Sequence, residues 1–451
     1  MSAIYIFDEI NKRSRGDASK WFLHHVLDEL SKNLANKIGC QLNIFRGNSL
    51  EIIGKLLEDL KVSEIYFNQN FEPQARLLNE KIIKLAKEKN ITIFVGEANL
   101  LFESGKILNS SNQYFKVFTP FWRKCLENES KIAKPLPILA LKNQNLAKNN
   151  LRDSIKLADL NLLPKISWDK IMQKTWQFSE EQIWQDFNNF IAKKITNYKQ
   201  ARDFPGLEAT SKLSPYLHFG VISVRQIFAR VRSYQHQYHQ LQNNNINHFL
   251  SEIGWREFSY NLLHNFPELP SKNFNQKFDK FPWYQNDEIL QKWQKGLTGY
   301  PIVDAGMREL WATGWMHNRV RMIVGSFLVK DLLIDWRVGE KWFWDCLVDA
   351  DMASNTASWQ WIAGSGADAA PYFRIFNPTL QSLKFDPEGI YIRKWVPEIA
   401  KLPNNLIHEP SQANIFELQQ AKIELGKTYP HPLVDHKKAR DMAMMAYKSL
   451  N

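Results

Sequence analysis

Strand and helix alternate through the first hundred residues, and then strand disappears. IYIF (4–7) reads as a strand, and Asp17 is placed to cap a helix running through Leu34, with Trp21, Leu23, Val26 and Leu30 near one face. LNIF (42–45) is the next strand. Asn48 or Ser49 then opens a helix that turns Ile52, Ile53, Leu56 and Leu57 inward. EIYF (64–67) is a strand, Pro73 starts a helix, and ITIFV (91–95) is a strand. Such alternation implies a parallel, Rossmann-like sheet with helices on its faces. There is no GxGxxG and no P-loop, so nothing marks a classical dinucleotide site here.

The pattern degrades from about 97 to 177. KIAKPLPILALKNQNLAKNN and NLLPKISW are rich in Lys, Asn and Pro and read as a long connection over the surface. From Ser179, SEEQIWQDFNNFIAKKI begins with a capping residue and acids in the first turn, and helical patterning continues to the end without a convincing strand. The expected organisation is an α/β domain over 1–115, a linker over 116–177 and a larger all-α domain over 178–451.

The formal charge of +11 favours a polyanion or an acidic membrane surface as partner. Three scattered cysteines, Cys40, Cys125 and Cys346, offer neither a disulfide framework nor a metal motif, and no metal is expected. MSAIYIFDEI turns acidic after four apolar residues, unlike a signal peptide, and no apolar run reaches 18 residues. A cytoplasmic monomer without membrane contact is expected, associated with the nucleoid if the source is bacterial.

Sixteen tryptophans are present, eleven of them between Trp255 and Trp395. Five fall in 335–378, with Asp349, Asp351, Asn355 and a run of small residues from Ala363 to Ala370. Two readings stand for that stretch. One is an aromatic helical core with a tight loop. The other is a pocket where small residues let a planar ligand approach the backbone.

TSKLSPYLHFG within 198–225, EIGWREF (252–258), KGLTGYPIVDAGMREL (295–310), TGWMHNRVRM (313–322) and the 335–378 stretch stand in family order and spacing. Together they resemble the photolyase/cryptochrome flavoproteins, most of all class I cyclobutane pyrimidine dimer photolyases. The resemblance implies an antenna-type first domain and an FAD folded back on itself in the helical domain. It assigns Tyr198, Thr210, Ser211, Leu213 and Ser214 to FAD, with Arg256 facing the phosphates and Asn318 also at the cofactor. Short hydroxyls at a helix start suit a pyrophosphate. Lys212 stands where the family often has Arg, which keeps the charge but loses the two-pronged fork. Arg321 and Asp349 are expected as an ion pair beside the flavin, Asp351 at its sugar or ring edge, and Asn355 facing N5.

The same resemblance assigns Glu252, Trp255, Asn318, Arg319, Met322 and Trp361 to a flipped-out dimer. A neutral, donating Glu252 is expected from desolvation between Trp255 and Trp361. Members specific for (6-4) lesions carry His at the positions of Asn318 and Met322, so cyclobutane dimers are favoured. Trp359, Trp336 and Trp283 match the relay that reduces photoexcited FAD. The implied activity is light-driven dimer splitting by an electron from reduced FAD, with lesion-bearing DNA as partner. The other member type is a cryptochrome photoreceptor without repair; Asn355, Glu252 and a short C-terminal segment argue against it.

One departure concerns the start. IYIFDEINKRSRGDASKWFLHH resembles the family's second strand–helix unit, and the first unit with its Arg-rich turn is not matched. Gln113 stands where folate-using members carry an acid. The presence of a second, antenna chromophore is therefore open, with a folate less expected than a deazaflavin.

Overall fold

Four five-residue strands form two parallel pairs. The computed structural model describes residues 2–10, 13–136, 151–238, 243–369 and 373–450. Strand β1 (Ala3–Phe7) pairs with β2 (Leu42–Arg46), and β3 (Glu64–Asn68) pairs with β4 (Thr92–Gly96). Each pair is joined by a helical crossover, as parallel neighbours require: α1 (Asp17–Asn33) between β1 and β2, and α3 (Pro73–Glu88) between β3 and β4. Helix α2 (Ser49–Asp59) links the pairs. Asn48 caps α2 by accepting from the Leu50 N–H at 3.0 Å, and Pro73 occupies the first turn of α3.

Two details differ from the sequence expectation. The strands make two separate two-stranded sheets, not one sheet, because no ladder bonds join the pairs among the described residues. Asp17 does not cap α1. Gly16 is the cap position, and the Asp17 N–H donates to Asp345 Oδ1 at 3.1 Å, so the helix start is fixed by a distant helix and not by its own side chain.

The segment expected as surface connection is partly core. Helix α4 (Phe118–Glu127) buries Phe118, Phe121, Trp122 and Cys125. It lies directly on the helix Asn243–Asn265, because Gly254 leaves room: a Cβ there would come within 2.5 Å of the Trp122 ring. Most of KIAKPLPILALKNQNLAKNN lies outside the described residues.

Beyond residue 178 the described chain is helical. One core gathers Trp293, Met316, Phe327, Trp336, Phe343 and Trp359. A second crosses between the domains: Trp21 and Phe22 of α1 bury beside Trp176, Tyr216, Phe249 and Phe258. Trp21 is fully buried and donates its indole N–H to Asp169 at 2.9 Å. Truncating such a residue to Ala typically costs about 3–5 kcal/mol, so the α/β part is anchored through α1. Among the described residues, no helix is long and apolar enough to cross a membrane.

Candidate active site

The helix Asn243–Asn265 sets one wall. Glu252 and Trp255 are three apart on it and so share a face. Glu252 is gripped by Arg202, whose two terminal nitrogens reach its two oxygens. The next residue, Asp203, pairs with Arg319 at 2.9 Å, and the Arg319 guanidinium lies 4.4 Å over Phe385 and touches the Met322 sulfur. One short turn, 202–203, thus ties Glu252 to the first turn of the helix Asn318–Ser326. Asn318 itself is exposed. The expected neutral, donating Glu252 is corrected: with a guanidinium on both oxygens it is an ion-pair acceptor, and Arg202 carries the donors.

The other wall is aromatic. Trp255 stacks on Phe118 with centroids 3.7 Å apart and planes 10° from parallel. The Phe118 N–H donates to the Asp368 carboxylate at 3.2 Å, and the Asp368 carbonyl accepts the Trp361 indole N–H at 3.2 Å. Asp368, at φ +57°, therefore holds both tryptophans in one frame.

His317 caps the helix Asn318–Ser326 by accepting from the Arg319 N–H on Nδ1 at 3.2 Å. Burial, aided by the nearby Arg202 charge, pushes its pKa down to about 4, so the imidazole is a neutral cap.

Two carboxylates and an amide follow the aromatic helix Trp336–Cys346. Arg321 holds Asp349 through one nitrogen, at 3.2 and 3.0 Å, as expected. Asp351 caps the helix Met352–Ala363 by accepting from the Ser354 N–H at 2.8 Å. It also accepts from the Tyr260 hydroxyl, and His218 Nδ1 stands 3.5 Å away. Burial would raise the Asp351 pKa, but His218, Arg256 and Tyr260 outweigh it and hold the group well below the usual carboxylate range. Asn355, one turn into that helix, is buried and directs its amide nitrogen to Glu340.

The small residues after Ala363 serve the chain first. Gly364 ends the helix at φ +91°, and a Cβ on Gly366 would lie 2.8 Å from Gln360 and Trp361 backbone atoms. Here the tight-loop reading accounts for Gly364 and Gly366; Ala370 lies outside the described residues.

On the opposite flank, Tyr198 is buried at the start of a short turn, and Thr210, Ser211, Leu213 and Ser214 enter the helix Ser214–His218. Lys212 sits at φ +50°. Among the described residues, nothing takes a hydrogen bond from the Thr210, Ser211 or Ser214 hydroxyls, an unspent donor set that fits an anionic group. Arg256 donates to the Asn99 carbonyl at 2.5 Å and lies 5.0 Å over Tyr260.

Trp359 rests against the helix Trp336–Cys346 at Gly339, where a Cβ would lie 2.2 Å from its ring. Trp336 is fully buried and donates to Asn273 at 2.9 Å; Trp283 is half-buried against Phe281 at 4.3 Å.

Residues 249–449 match the FAD-binding domain of DNA photolyase, and residues 1–140 match DNA photolyase. A deoxyribodipyrimidine photo-lyase of Agrobacterium fabrum is 43% identical over 436 residues, covering 96% of this chain and 89% of that protein. The chain belongs to the photolyase/cryptochrome family. Within the photolyase/cryptochrome structures, a bacterial class III photolyase from Agrobacterium tumefaciens aligns over 100% of this chain and 92% of that one, at 42% identity and a TM-score of 0.93. Cryptochrome-2 of Arabidopsis thaliana is 35% identical over 440 residues, 96% of this chain and 71% of that protein. The likeness to class III corrects the class I expectation, which rested on pocket motifs alone. The photolyase/cryptochrome fold is thus established, with two small parallel sheets, a large helical domain and an FAD-binding domain.

Sequence reasoning missed Arg202, Phe118, His218, Tyr260, Glu340 and Arg13. Glu340 left a signal: on the helix Trp336–Cys346 it is the one acid among the buried residues Trp336, Gly339, Phe343 and Trp344. A lone acid on an apolar face asks for a partner.

Proposed function

We propose that this protein is a deoxyribodipyrimidine photo-lyase that splits cyclobutane pyrimidine dimers in DNA under near-ultraviolet or blue light. The observation that carries this reading is the set of contacts Asp203–Arg319–Met322, Arg202–Glu252 and Trp255–Phe118–Asp368–Trp361, tied together by the adjacency of Arg202 and Asp203 and by the shared helix of Glu252 and Trp255. It offers flat walls and charge-assisted donors to one flipped-out lesion, the combination that base-flipping enzymes use.

Bound in its reduced form, FAD supplies the electron that opens the dimer and accepts it back, with no net redox change. The protein does the rest. Thr210, Ser211, Ser214 and Lys212 hold the diphosphate. Arg321 and Asp349 would border the ring, and Asn355 would meet N5 with a neutral amide. Arg202 and Arg319 steady negative charge on the opened dimer. Trp359, Trp336 and Trp283 would serve reduction of the cofactor and not repair. The +11 charge draws in the lesion-bearing strand, with affinity falling as salt rises.

The test is an oligonucleotide with one defined thymine dimer, given protein whose flavin has been chemically reduced. Light-dependent restoration of the two thymines, absent in the dark, is expected. No restoration under any illumination would return the chain to the cryptochrome side of its family, where its similarity to cryptochrome-2 of Arabidopsis thaliana also lies.

A further inference from the structure

Residues 13–16, just before α1, reach into the surroundings of Asn355. Arg13 donates to both oxygens of Glu340, at 2.8 and 2.9 Å. Its guanidinium also lies 4.1 Å over the Trp344 ring. The Trp344 indole donates to the Ser14 carbonyl at 2.8 Å. A Cβ at Gly16 would stand 2.2 Å from the Trp344 carbonyl, so only glycine lets the loop lie this close. Glu340 is buried, and Arg13 is only partly exposed. A buried carboxylate is retained where a cation satisfies it, and the two-pronged pair does so.

Glu340 then fixes a second residue. Asn355 gives its amide nitrogen to Glu340 twice, to Oε1 at 2.9 Å and to the backbone carbonyl at 3.1 Å. A carboxylate held by a guanidinium has no proton to give, so the amide can meet it only with its N–H side. Both amide protons are thereby used. Among the described residues nothing donates to Asn355 Oδ1, and that oxygen is left to accept from outside the chain. The two amide faces ask for opposite partners. An exposed Oδ1 suits a nitrogen that carries hydrogen, as N5 does in reduced flavin. An exposed Nδ2 suits a nitrogen with a lone pair, as N5 has in oxidised flavin.

We propose that Arg13 is a positioning residue that, by keeping Glu340 an acceptor, orients the Asn355 amide and biases the bound flavin toward its reduced state. This deepens the reading in which Asn355 faces N5 and rests on it. Without Arg13, Glu340 has two options. It stays charged and unpaired and repels added electron density, or it takes a proton, donates to Oδ1 and turns the amide round. Both disfavour the reduced cofactor.

The experiment uses the FAD-loaded full chain. Arg13→Gln, Arg13→Lys and Asn355→Ala are compared with the parent for flavin midpoint potential and for aerobic reoxidation after chemical reduction. FAD content and thermal unfolding serve as controls. Arg13→Gln should reoxidise about tenfold faster, the scale of one charge-assisted hydrogen bond, with a lowered potential. Arg13→Lys keeps the charge but loses the fork, and should fall between it and the parent. Asn355→Ala should shift at least as far as Arg13→Gln. A parent-like Arg13→Gln beside a shifted Asn355→Ala overturns the proposal and spares the Asn355 reading. A parent-like Asn355→Ala overturns the reading and the proposal together. If Arg13→Gln does not retain FAD, Arg13→Lys decides alone: an intermediate potential upholds the proposal, and a parent potential in a loaded lysine variant ends it.

Discussion

Arg202 reaches both carboxylate oxygens of Glu252 from a position fifty residues earlier in the chain. The pair is mostly buried on the arginine side and about a third exposed on the glutamate side, so it looks outward into the pocket. In the proposed reading, Glu252 aims the guanidinium at the lesion. Glu252→Ala should therefore lower repair per photon several-fold with FAD content unchanged. Arg202→Ala should do the same, and the double variant should be little worse than either, since residues in one ion pair act as a unit. Repair of a thymine-dimer oligonucleotide with pre-reduced flavin measures this. Losses that multiply would show that the two side chains act separately.

The stack of Trp255 on Phe118 gives a second expectation. Phe118→Leu keeps an apolar fill but removes the partner ring, worth about 0.5–1.5 kcal/mol. Dimer-containing DNA should bind roughly two- to tenfold more weakly, while undamaged DNA, held by charge, should bind as before. Titrations of both duplexes at one salt concentration decide it. An equal change for the two duplexes would mean that Phe118 supports the fold and not the wall.

For the tryptophans, Trp336→Phe removes an oxidisable indole and the bond to Asn273, yet leaves an aromatic fill. Photoreduction of oxidised FAD should drop steeply, whereas repair by chemically reduced protein should persist. A variant that photoreduces as fast as the parent would take Trp336 out of the relay.

His317 gives a pH expectation with a definite sign. Its pKa falls from 6.5 in the unfolded chain to about 4 in the fold. Between these values the unfolded chain binds the proton and the folded one does not, so stability is lost as pH drops from 6.5 toward 4. The full effect is about 3 kcal/mol. His317→Asn keeps a capping oxygen and cannot titrate. Denaturant unfolding of both proteins from pH 7 to 4 should show the parent losing more stability than the variant. Parallel curves would remove His317 as the source.

Local features were legible and distant partnerships were not. All four strands lie within a residue of where apolar runs place them, because alternation and turn residues are local signals. Asn48 and Pro73 announced their helices for the same reason. The division into two sheets was invisible, since side-chain pattern does not specify which strands share ladder bonds. The burial of Phe118, Phe121 and Trp122 was missed because the Lys- and Pro-rich residues around them dominate the composition. Family motifs named the candidate pocket residues but not their charge partners. Glu252 reads as an isolated carboxyl until Arg202 is folded against it. Arg13 lies 327 residues from Glu340, and no periodicity spans that distance.

That separation also sets an order of events during synthesis. The β1–α1 loop leaves the ribosome early, but the helix that receives it is made 327 residues later. At bacterial and eukaryotic rates of about 5–20 residues per second, the loop waits roughly 16–65 s for its partner. The apolar face of α1 meets its partners sooner, because Trp176 and Tyr216 follow Trp21 and Phe22 far more closely in the chain. The Arg13–Glu340 contact joins two parts of the chain made 327 residues apart. Under the proposed reading, the Asn355 amide takes its orientation only after the helix Trp336–Cys346 has been made, well after α1 has found its core partners.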